Sequence, residues 1–281
     1  MANDLDTPHV NHAAKAVYYP DPMTGDLRLA RVQVFGYPIY SDAAGAADPA
    51  RQGKPKQRNK QEAEADTANA QRAARRARRN AFDLIMCNPE LDAFVTLTYS
   101  PDTCDKQDYG DCYKYLRAWL SNGVQRDGLR YICVSELTKA QDVHFHAICN
   151  SAALRLDPAV NPHTGRAVRH HGDPVFNVRN WGAGFSTAQL IRQRKTGEDT
   201  RAAVAKYMFK YMTKQLGAKI GGRYFLHGGR LVEPVAVFGD AVEDFAPDFA
   251  TRATAWTTDI DMGTAIVKYT EYDFLSGYQG A

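Results

Sequence analysis

The stretch that decides the fold is Tyr131-Ile-Cys-Val-Ser-Glu-Leu-Thr-Lys-Ala-Gln-Asp-Val-His-Phe-His-Ala-Ile-Cys149. Two β-like pieces, Tyr131–Ser135 and Val143–Cys149, flank a short polar connection, which predicts a hairpin or two adjacent strands. Side chains two apart on a strand share a face. We therefore expect His144 and His146 to point the same way, while Phe145 points into the core.

Two imidazoles on one strand face form a candidate metal-ligand pair, because their ring nitrogens converge on a common point. Glu136 ends the preceding strand and would bring a carboxylate to the same point if the two strands pair. Two nitrogens and one oxygen, with open positions for water or phosphate, suit Mn²⁺ or Mg²⁺ acting as a Lewis acid, and Zn²⁺ is an alternative. The structural alternative is a pair of half-exposed histidines that bind no ligand.

A second motif lies in residues 200–216, which contain neither Gly nor Pro and are therefore predicted to form a helix. Its apolar face consists of the residues Ala205, Met208, Phe209, Met212 and Leu216. Tyr207 and Tyr211, spaced i and i+4, fall off that face beside a stripe formed by Lys206, Lys210 and Lys214. Phenols beside positive charge are typical of nucleophiles presented to a phosphate. The alternative is exposed tyrosines that pack on lysine stems.

The two motifs together, in this order, resemble those of the HUH endonucleases, and most closely the rolling-circle replication initiators of single-stranded DNA phages (filamentous or microvirus-like) and related plasmids. The family's His-hydrophobic-His motif is His144–His146 here, and its two-tyrosine motif is Tyr207-Met-Phe-Lys-Tyr211-Met-Thr-Lys214. A first family motif, a Thr-Leu-Thr strand, resembles Phe94–Tyr99. The resemblance covers roughly Arg72 to Leu231.

The order of strands and helices predicts an α+β domain, an antiparallel sheet with packed helices. The resemblance implies a split-βαβ, RRM-like core with the histidine strand central and the tyrosine helix beside it. It further implies that Tyr207 or Tyr211 attacks DNA to form a 5′-phosphotyrosine, with Lys210 stabilising charge. Mn²⁺ or Mg²⁺ would be held by His144, His146 and Glu136. Thr96 and Thr98 share a strand face and are expected to line this site.

Composition and length are those of one ordinary domain with extensions. The chain has 281 residues, 44% of them apolar, and a mean hydropathy of −0.47. It contains no apolar run of about 18 residues, so no membrane span is expected. The first residues lack a secretory signal, which predicts a cytoplasmic protein, in the host cytoplasm if the chain is phage-encoded. The five cysteines are odd in number and without C-x-x-C pairs, which predicts reduced thiols.

Charge is unevenly distributed, although the net charge is only +3. Residues 51–80 hold ten Lys/Arg against three acids, whereas residues 233–281 hold nine acids against two bases. The basic segment is expected to contact DNA phosphates, with a solvated helical face as the alternative. The residues expected to bind DNA are Arg75, Arg76, Arg78, Arg79, Lys206, Lys214 and Arg223.

Three divisions of the chain are predicted. Residues 1–60 form an N-terminal extension and flexible linker, in which residues 1–26 are loosely structured and Leu27–Tyr40 adds an edge strand. Residues 61–232 form the HUH endonuclease domain with its basic lead-in helix. Residues 233–281 form an acidic C-terminal extension.

Further elements follow from local patterns within the central division. Residues 61–80 are rich in helix formers, and the helix is expected to continue to Cys87. Ala93–Tyr99 is predicted to be a buried strand, and Asp108–Ser121 an amphipathic helix that packs on the sheet. Ser186 is expected to cap a short helix that runs through Ile191.

The implied partner is single-stranded origin DNA, at a hairpin or a nick site. The chain has no G-x-x-x-x-G-K-[ST] motif, so a host helicase, and with it a host polymerase, is expected to supply those activities. Three alternatives remain. They are another HUH enzyme such as a transposase or relaxase, a catalytically inert DNA-binding repressor on the same fold, and a metal-dependent hydrolase that uses water as the nucleophile.

Overall fold

The computed structural model describes residues 11–40, 60–192, 200–214, 222–261 and 266–274. The flexible linker predicted before residue 61 lies almost entirely outside these ranges. The chain divides into two compact units, one of residues 59–232 and one that combines residues 1–58 with residues 233–281. Both are built on antiparallel sheets, and the α+β class predicted from the order of elements is confirmed.

The elements are numbered in chain order. The strands are β1 (Asn11–Pro20), β2 (Leu27–Tyr40), β3 (Leu91–Leu97), β4 (Tyr131–Leu137), β5 (Val143–Asn150), β6 (Leu156–Pro158), β7 (Arg169–His170), β8 (Asp173–Pro174), β9 (Phe176–Val178), β10 (Ser186–Leu190), β11 (Leu226–Gly228), β12 (Val235–Gly239), β13 (Thr254–Asp261) and β14 (Ile266–Asp273). The helices are α1 (Lys60–Cys87), α2 (Tyr109–Asn122), α3 (Thr200–Lys214) and α4 (Phe249–Arg252), and a π-helical turn, Gly123–Asp127, follows α2.

The larger unit is organised around a sheet with the strand order β11-β4-β5-β3-β10-β9-β6, in which neighbours are antiparallel. The predicted hairpin is β4 and β5, and the histidine strand β5 lies in the middle of the sheet. Because β3 and β4 are both antiparallel to β5, they are parallel to each other. They are connected through α2, and β5 is inserted between them.

The sheet is buried on both faces, because side chains alternate along each central strand. Phe145, Val95 and Cys133 pack in a core with α2 on one face. Phe145 is fully buried, as predicted. Helix α2 begins where the side chain of Asp108 accepts a hydrogen bond from the amide of Asp111, which satisfies one free N–H of the first turn.

The opposite face of the sheet is covered by α1 and α3. Ile132 and Ile148 of the sheet pack there with Ile85 of α1, and Met208 of α3 is fully buried in the same core. The predicted apolar face of α3 is confirmed for Ala205, Met208 and Phe209, which are all buried. Leu216 and the side chain of Met212 lie outside the described part of the chain.

The predicted short helix from Ser186 through Ile191 is wrong, because Ser186–Leu190 is strand β10 and pairs with β3. The hydroxyl of Ser186 accepts a hydrogen bond from the amide of Val178 and does not cap a helix. The close approach before this strand depends on Gly184. A Cβ placed there would lie 2.5 Å from the carbonyl oxygen of Thr98.

The smaller unit contains a second sheet, with the strand order β12-β1-β2-β14-β13. Strand β2 has the predicted bounds but lies inside this sheet and not at its edge. The expectation of loose structure through residue 26 is wrong for Asn11–Pro20, which is strand β1. The alternation of buried Ala14 and Ala16 with larger neighbours is too weakly apolar to signal a strand, and long-range pairing supplies the stability.

The five cysteines are free and buried, which confirms the predicted reduced thiols. In the part of the chain that the structure describes, no helix has the length and apolar character needed to cross a membrane.

Candidate functional site

The β4–β5 hairpin brings the predicted metal ligands onto one face of the sheet. Glu136 lies directly opposite His144 in the register, and His146 lies between Val134 of β4 and Thr96 of β3. Side chains of directly opposed residues share a face. The face is the one that α3 covers, so the histidines and the tyrosine helix are on the same side of the sheet.

His146 is held at both ring nitrogens. Its Nε2 lies 2.8 Å from Oε2 of Glu136, and its Nδ1 lies 3.1 Å from Oγ1 of Thr96. An ionised carboxylate only accepts hydrogen bonds, so Nε2–H donates to Glu136, and Nδ1 of a neutral ring accepts from the Thr96 hydroxyl. The ring is 5% exposed, which leaves it little freedom to reorient.

His144 is partly buried beside this pair. Burial, followed by the neighbouring His146, lowers the pKa of His144 below its ordinary value, while Glu136 acts in the opposite direction. The neutral imidazole is the form that binds metals. The environment of His144 therefore favours the ligand-competent form at neutral pH.

Helix α3 presents Tyr207 to this face. The Tyr207 side chain is 50% exposed, and Lys206 and Lys210 beside it are exposed. Tyr207 therefore lies off the buried face of α3, as its spacing predicts. Tyr211 and Lys214 belong to the same helix, but their side chains lie outside the described part of the structure.

Phe94 connects the tyrosine helix to the histidine strand. Its ring is stacked on His146, with 5.8 Å between centroids and 9° between planes. The ring of Tyr207 meets the same phenylalanine edge-on, with centroids 5.8 Å apart. Sequence reasoning missed this role. The available signal was that Phe94 and Thr96 are two residues apart on β3 and so share the site's face.

The two threonines expected to line the site have different surroundings. Thr96 contacts His146, as described above. Thr98 follows the end of β3, and its hydroxyl donates a hydrogen bond to the carbonyl oxygen of Phe185 at 2.8 Å. Of these two, the structure brings only Thr96 into hydrogen-bond contact with the histidine pair.

The arginines predicted to bind DNA lie on α1, which packs against α3. Arg75 and Arg76 are exposed, whereas Arg78 and Arg79 are partly buried. Burial and the nearby Arg75 lower the pKa of Arg78, although a guanidinium remains charged in proteins.

Arg223 is exposed just before β11. The next residue, Tyr224, donates a hydrogen bond from its hydroxyl to the carbonyl oxygen of Ala70 at 2.9 Å. This bond ties the Arg223 segment to α1, so the predicted phosphate-binding residues of both segments belong to one side of the unit.

The donor set fits a divalent cation by chemical type, with two imidazoles and one carboxylate on one face. The hydrogen bond from Thr96 to Nδ1 of His146 is of the kind that orients a ligand imidazole. In the structure Nε2 of His146 contacts Glu136 directly, and among the described residues no three or more His, Cys, Asp or Glu side chains form a metal-binding group. A cation bound at this Nε2 would replace the proton now shared with Glu136.

Residues 92–216 match the family model of the ORF2 type of replication-associated protein. The match extends from β3 through α3, somewhat less than half of the chain, and includes Thr96, Glu136, both histidines and the tyrosine motif. It associates this part of the chain with DNA replication and is consistent with a rolling-circle initiator. The comparisons with curated proteins and with solved structures found no match.

Proposed function

We propose that this protein nicks and rejoins single-stranded DNA at a replication origin through a 5′-phosphotyrosine intermediate, and so starts rolling-circle replication. The observation that carries the proposal is the ring contact of Phe94 with both His146 and Tyr207. It sets a candidate nucleophile and a candidate phosphate-activating group on one face of one sheet. The match to the replication-associated family supports the same function.

The fold supports an assignment to the HUH type. Strands β3 and β4 are parallel, connected through α2 and separated by β5. This is the order that a split-βαβ core requires. The two-tyrosine motif on α3 and the His-x-His motif on β5 then stand where that assignment needs them.

The chemistry proposed for the chain begins with the scissile phosphate above the histidine face. The phenol oxygen of Tyr207 or Tyr211 attacks phosphorus, a P–O(Tyr) bond forms, and the bond to the 3′ oxygen breaks. The leaving oxygen takes up a proton and becomes a free 3′-hydroxyl that primes synthesis. Lys210 lies between the tyrosines in the sequence and supplies positive charge for the phosphorane.

His144, His146 and Glu136 would hold Mn²⁺ or Mg²⁺. When bound, such an ion supplies a Lewis acid that polarises a non-bridging phosphate oxygen. Thr96 keeps the imidazole of His146 oriented. The basic residues of α1 and α3, together with Arg223, bind the DNA backbone.

The test is covalent capture. A labelled single-stranded origin oligonucleotide is incubated with the protein and Mn²⁺, and an SDS-stable shift is measured with and without EDTA. Loss of the adduct only in Tyr207→Phe/Tyr211→Phe, and not in either single variant, supports a two-tyrosine nickase. Tyr113→Phe, on the α2 face of the sheet, is the matched control.

The other outcomes separate the alternatives. Cleavage without an adduct indicates a hydrolase that uses water. Binding without cleavage of any origin-derived oligonucleotide indicates a repressor. An adduct that survives in the double variant would show that the nucleophile lies elsewhere in the chain.

A further inference from the structure

A cavity of about 390 Å³ lies in the larger unit between the C-terminal half of α2, the π-helical turn and residues 180–183. Trp119 and Trp181 line it and belong to the core on the α2 face of the sheet. The histidines and Tyr207 belong to the α3 face. The cavity is therefore separate from the candidate nicking site.

Two polar atoms in the cavity wall lack hydrogen-bond partners in the structure. Trp119 is 9% exposed, and its Nε1 is buried without an acceptor. The side-chain oxygen of Asn180 is buried without a donor. By contrast, Nε1 of Trp181 donates to the carbonyl oxygen of Thr98 at 2.9 Å. Unpaired buried groups are unfavourable, so a ligand offering one acceptor and one donor would satisfy both.

The rim of the cavity is aromatic and positively charged. Tyr115 is 40% exposed, and its hydroxyl donates to the carbonyl oxygen of Thr103 at 3.0 Å, which leaves the ring face available. Arg126 and Arg155 are exposed at the same rim. Asp127 lies 3.4 Å from Arg155 and balances only one of these charges.

We propose that this cavity binds an unpaired nucleobase of single-stranded DNA. A base edge such as that of adenine or cytosine carries an acceptor next to an amino donor, which matches the N–H of Trp119 and the side-chain oxygen of Asn180. The base ring packs against Tyr115, and Arg126 and Arg155 attract the adjoining phosphates. The volume is within the range of small-ligand sites.

The base chemistry is common to a DNA strand and to a free nucleotide. The choice of the strand rests on the proposed function, because a nickase must hold unpaired DNA on either side of the bond that it cuts. A second contact on the opposite face of the sheet would fix the path of the strand away from the tyrosines.

The experiment uses the full chain carrying Tyr207→Phe/Tyr211→Phe, in EDTA, so that no cleavage occurs. Tryptophan fluorescence reports binding, since the chain has three tryptophans and two of them line the cavity. The probes are the four deoxynucleoside monophosphates, a short single strand, and a strand of the same length made only of abasic deoxyribose phosphates. The expected result is quenching by the single strand and much weaker binding of the abasic strand.

Variants separate base contact from phosphate contact. Trp119→Phe and Asn180→Leu each remove one hydrogen-bonding group, and either is expected to weaken binding of the single strand about tenfold. Arg126→Ala is expected to reduce the slope of binding against salt by about one ion. Asn177→Leu and Gln125→Ala, whose side chains do not line the cavity, are the matched controls and should bind as the parent does.

Equal binding of the intact and abasic strands would overturn the proposal, and so would unchanged affinity in both Asn180→Leu and Trp119→Phe. Quenching by mononucleotides, with no preference for the intact strand over the abasic one, would assign the cavity to free nucleotides and overturn the DNA part. The nicking assay with the active tyrosines is run separately. Loss of nicking with base binding intact rejects the proposed function alone, and intact nicking without base binding rejects this inference alone.

Discussion

At the residue scale, the Thr96 hydroxyl is the group that orients His146 from the Nδ1 side. We expect Thr96→Val to remove this hydrogen bond at a stability cost of about 1 kcal/mol. Nicking should fall by about tenfold or more, because an unoriented imidazole is a poorer ligand. The measurements are urea unfolding and the yield of covalent adduct at several Mn²⁺ concentrations.

Thr98→Val is the comparison for this change, since the Thr98 hydroxyl donates to the backbone at Phe185 and not to a histidine. Its loss of stability should be similar and its loss of nicking smaller. Equal losses of nicking in both variants would show that hydroxyl removal acts through general destabilisation.

Phe94 is the second residue whose role can be tested by itself. In Phe94→Leu the side chain stays apolar, so we expect a loss of less than about 1.5 kcal/mol in unfolding free energy. The flat ring that contacts both His146 and Tyr207 is lost, so adduct formation should fall more than stability does. Phe82→Leu is the matched control, because Phe82 packs on Phe209 in the same core. A larger loss of adduct in Phe82→Leu would contradict this assignment.

Sequence spacing predicts which side chains of the site share a face, and much less about how they touch. The two-residue period of β5 and the helical period of α3 are local, and they place His144, His146 and Tyr207 correctly. The hydrogen bond from His146 to Glu136 and the stacking of Phe94 depend on the register between strands and on rotamers. Neither is encoded in local periodicity.

At the scale of elements, the β4–β5 hairpin is fastened by an ion pair at its turn. Lys106 Nζ lies 2.8 Å from Asp142 Oδ2, and the amide of Val143 donates to the carbonyl oxygen of Lys106 at 2.7 Å. The hydrogen bond from Lys106 lowers the pKa of Asp142 below its ordinary 3.8. The turn is thereby held against the loop that precedes α2.

A lowered folded-state pKa contributes stability above the unfolded pKa and loses it as the pH falls through the folded pKa. We therefore expect Lys106→Met to destabilise the protein most above about pH 4 and progressively less at more acidic pH, as Asp142 becomes protonated in both proteins. Urea unfolding across this range measures the difference. A difference that does not vary with pH would rule out the ion pair as its cause.

The entry to β10 offers a matched pair of glycines. A Cβ at Gly184 would lie 2.5 to 2.7 Å from backbone atoms of residues 98–100, and backbone cannot move aside as a side chain can. We expect Gly184→Ala to cost about 1–3 kcal/mol, as overpacked sites do. A Cβ at Gly182 would meet nothing within 4 Å, so Gly182→Ala should change stability by no more than about 0.5 kcal/mol. Thermal unfolding of both variants checks the contrast.

Long elements were predictable and short ones were not. Helices α1 and α2 have enough residues for composition and periodicity to identify them. The five residues of β10 include Ala, Gln and Leu, which favour a helix, and only pairing with β3 makes them a strand. Tertiary pairing overrides local preference most readily in such short segments.

At the scale of the whole molecule, the larger unit has two apolar cores of its own and all five cysteines. We expect a chain of residues 59–232 to fold and melt cooperatively, as followed by near-ultraviolet circular dichroism. Its thiols should resist alkylation until unfolding, since they are buried and burial raises the pKa of Cys112 to about 12. Rapid alkylation under native conditions, or loss of the near-ultraviolet signal, would show that the unit is not self-sufficient.

Sequence reasoning did not foresee that strands near the two ends of the described chain share a sheet. Strand β2 pairs with β14, whose residues lie more than two hundred positions further along the chain. No local pattern encodes a pairing of such separation. The charge contrast between the two segments gives no register either.

That sheet has a consequence for the order of events on the ribosome. Strands β1 and β2 are synthesised early but cannot gain β12 and β14 as partners until all of the larger unit has been made. The larger unit contains its own partners and can fold while synthesis continues. A ribosome that stalls after residue 232 would release a chain with the nicking unit complete and the first hairpin still exposing the sheet edges that β12 and β14 later cover.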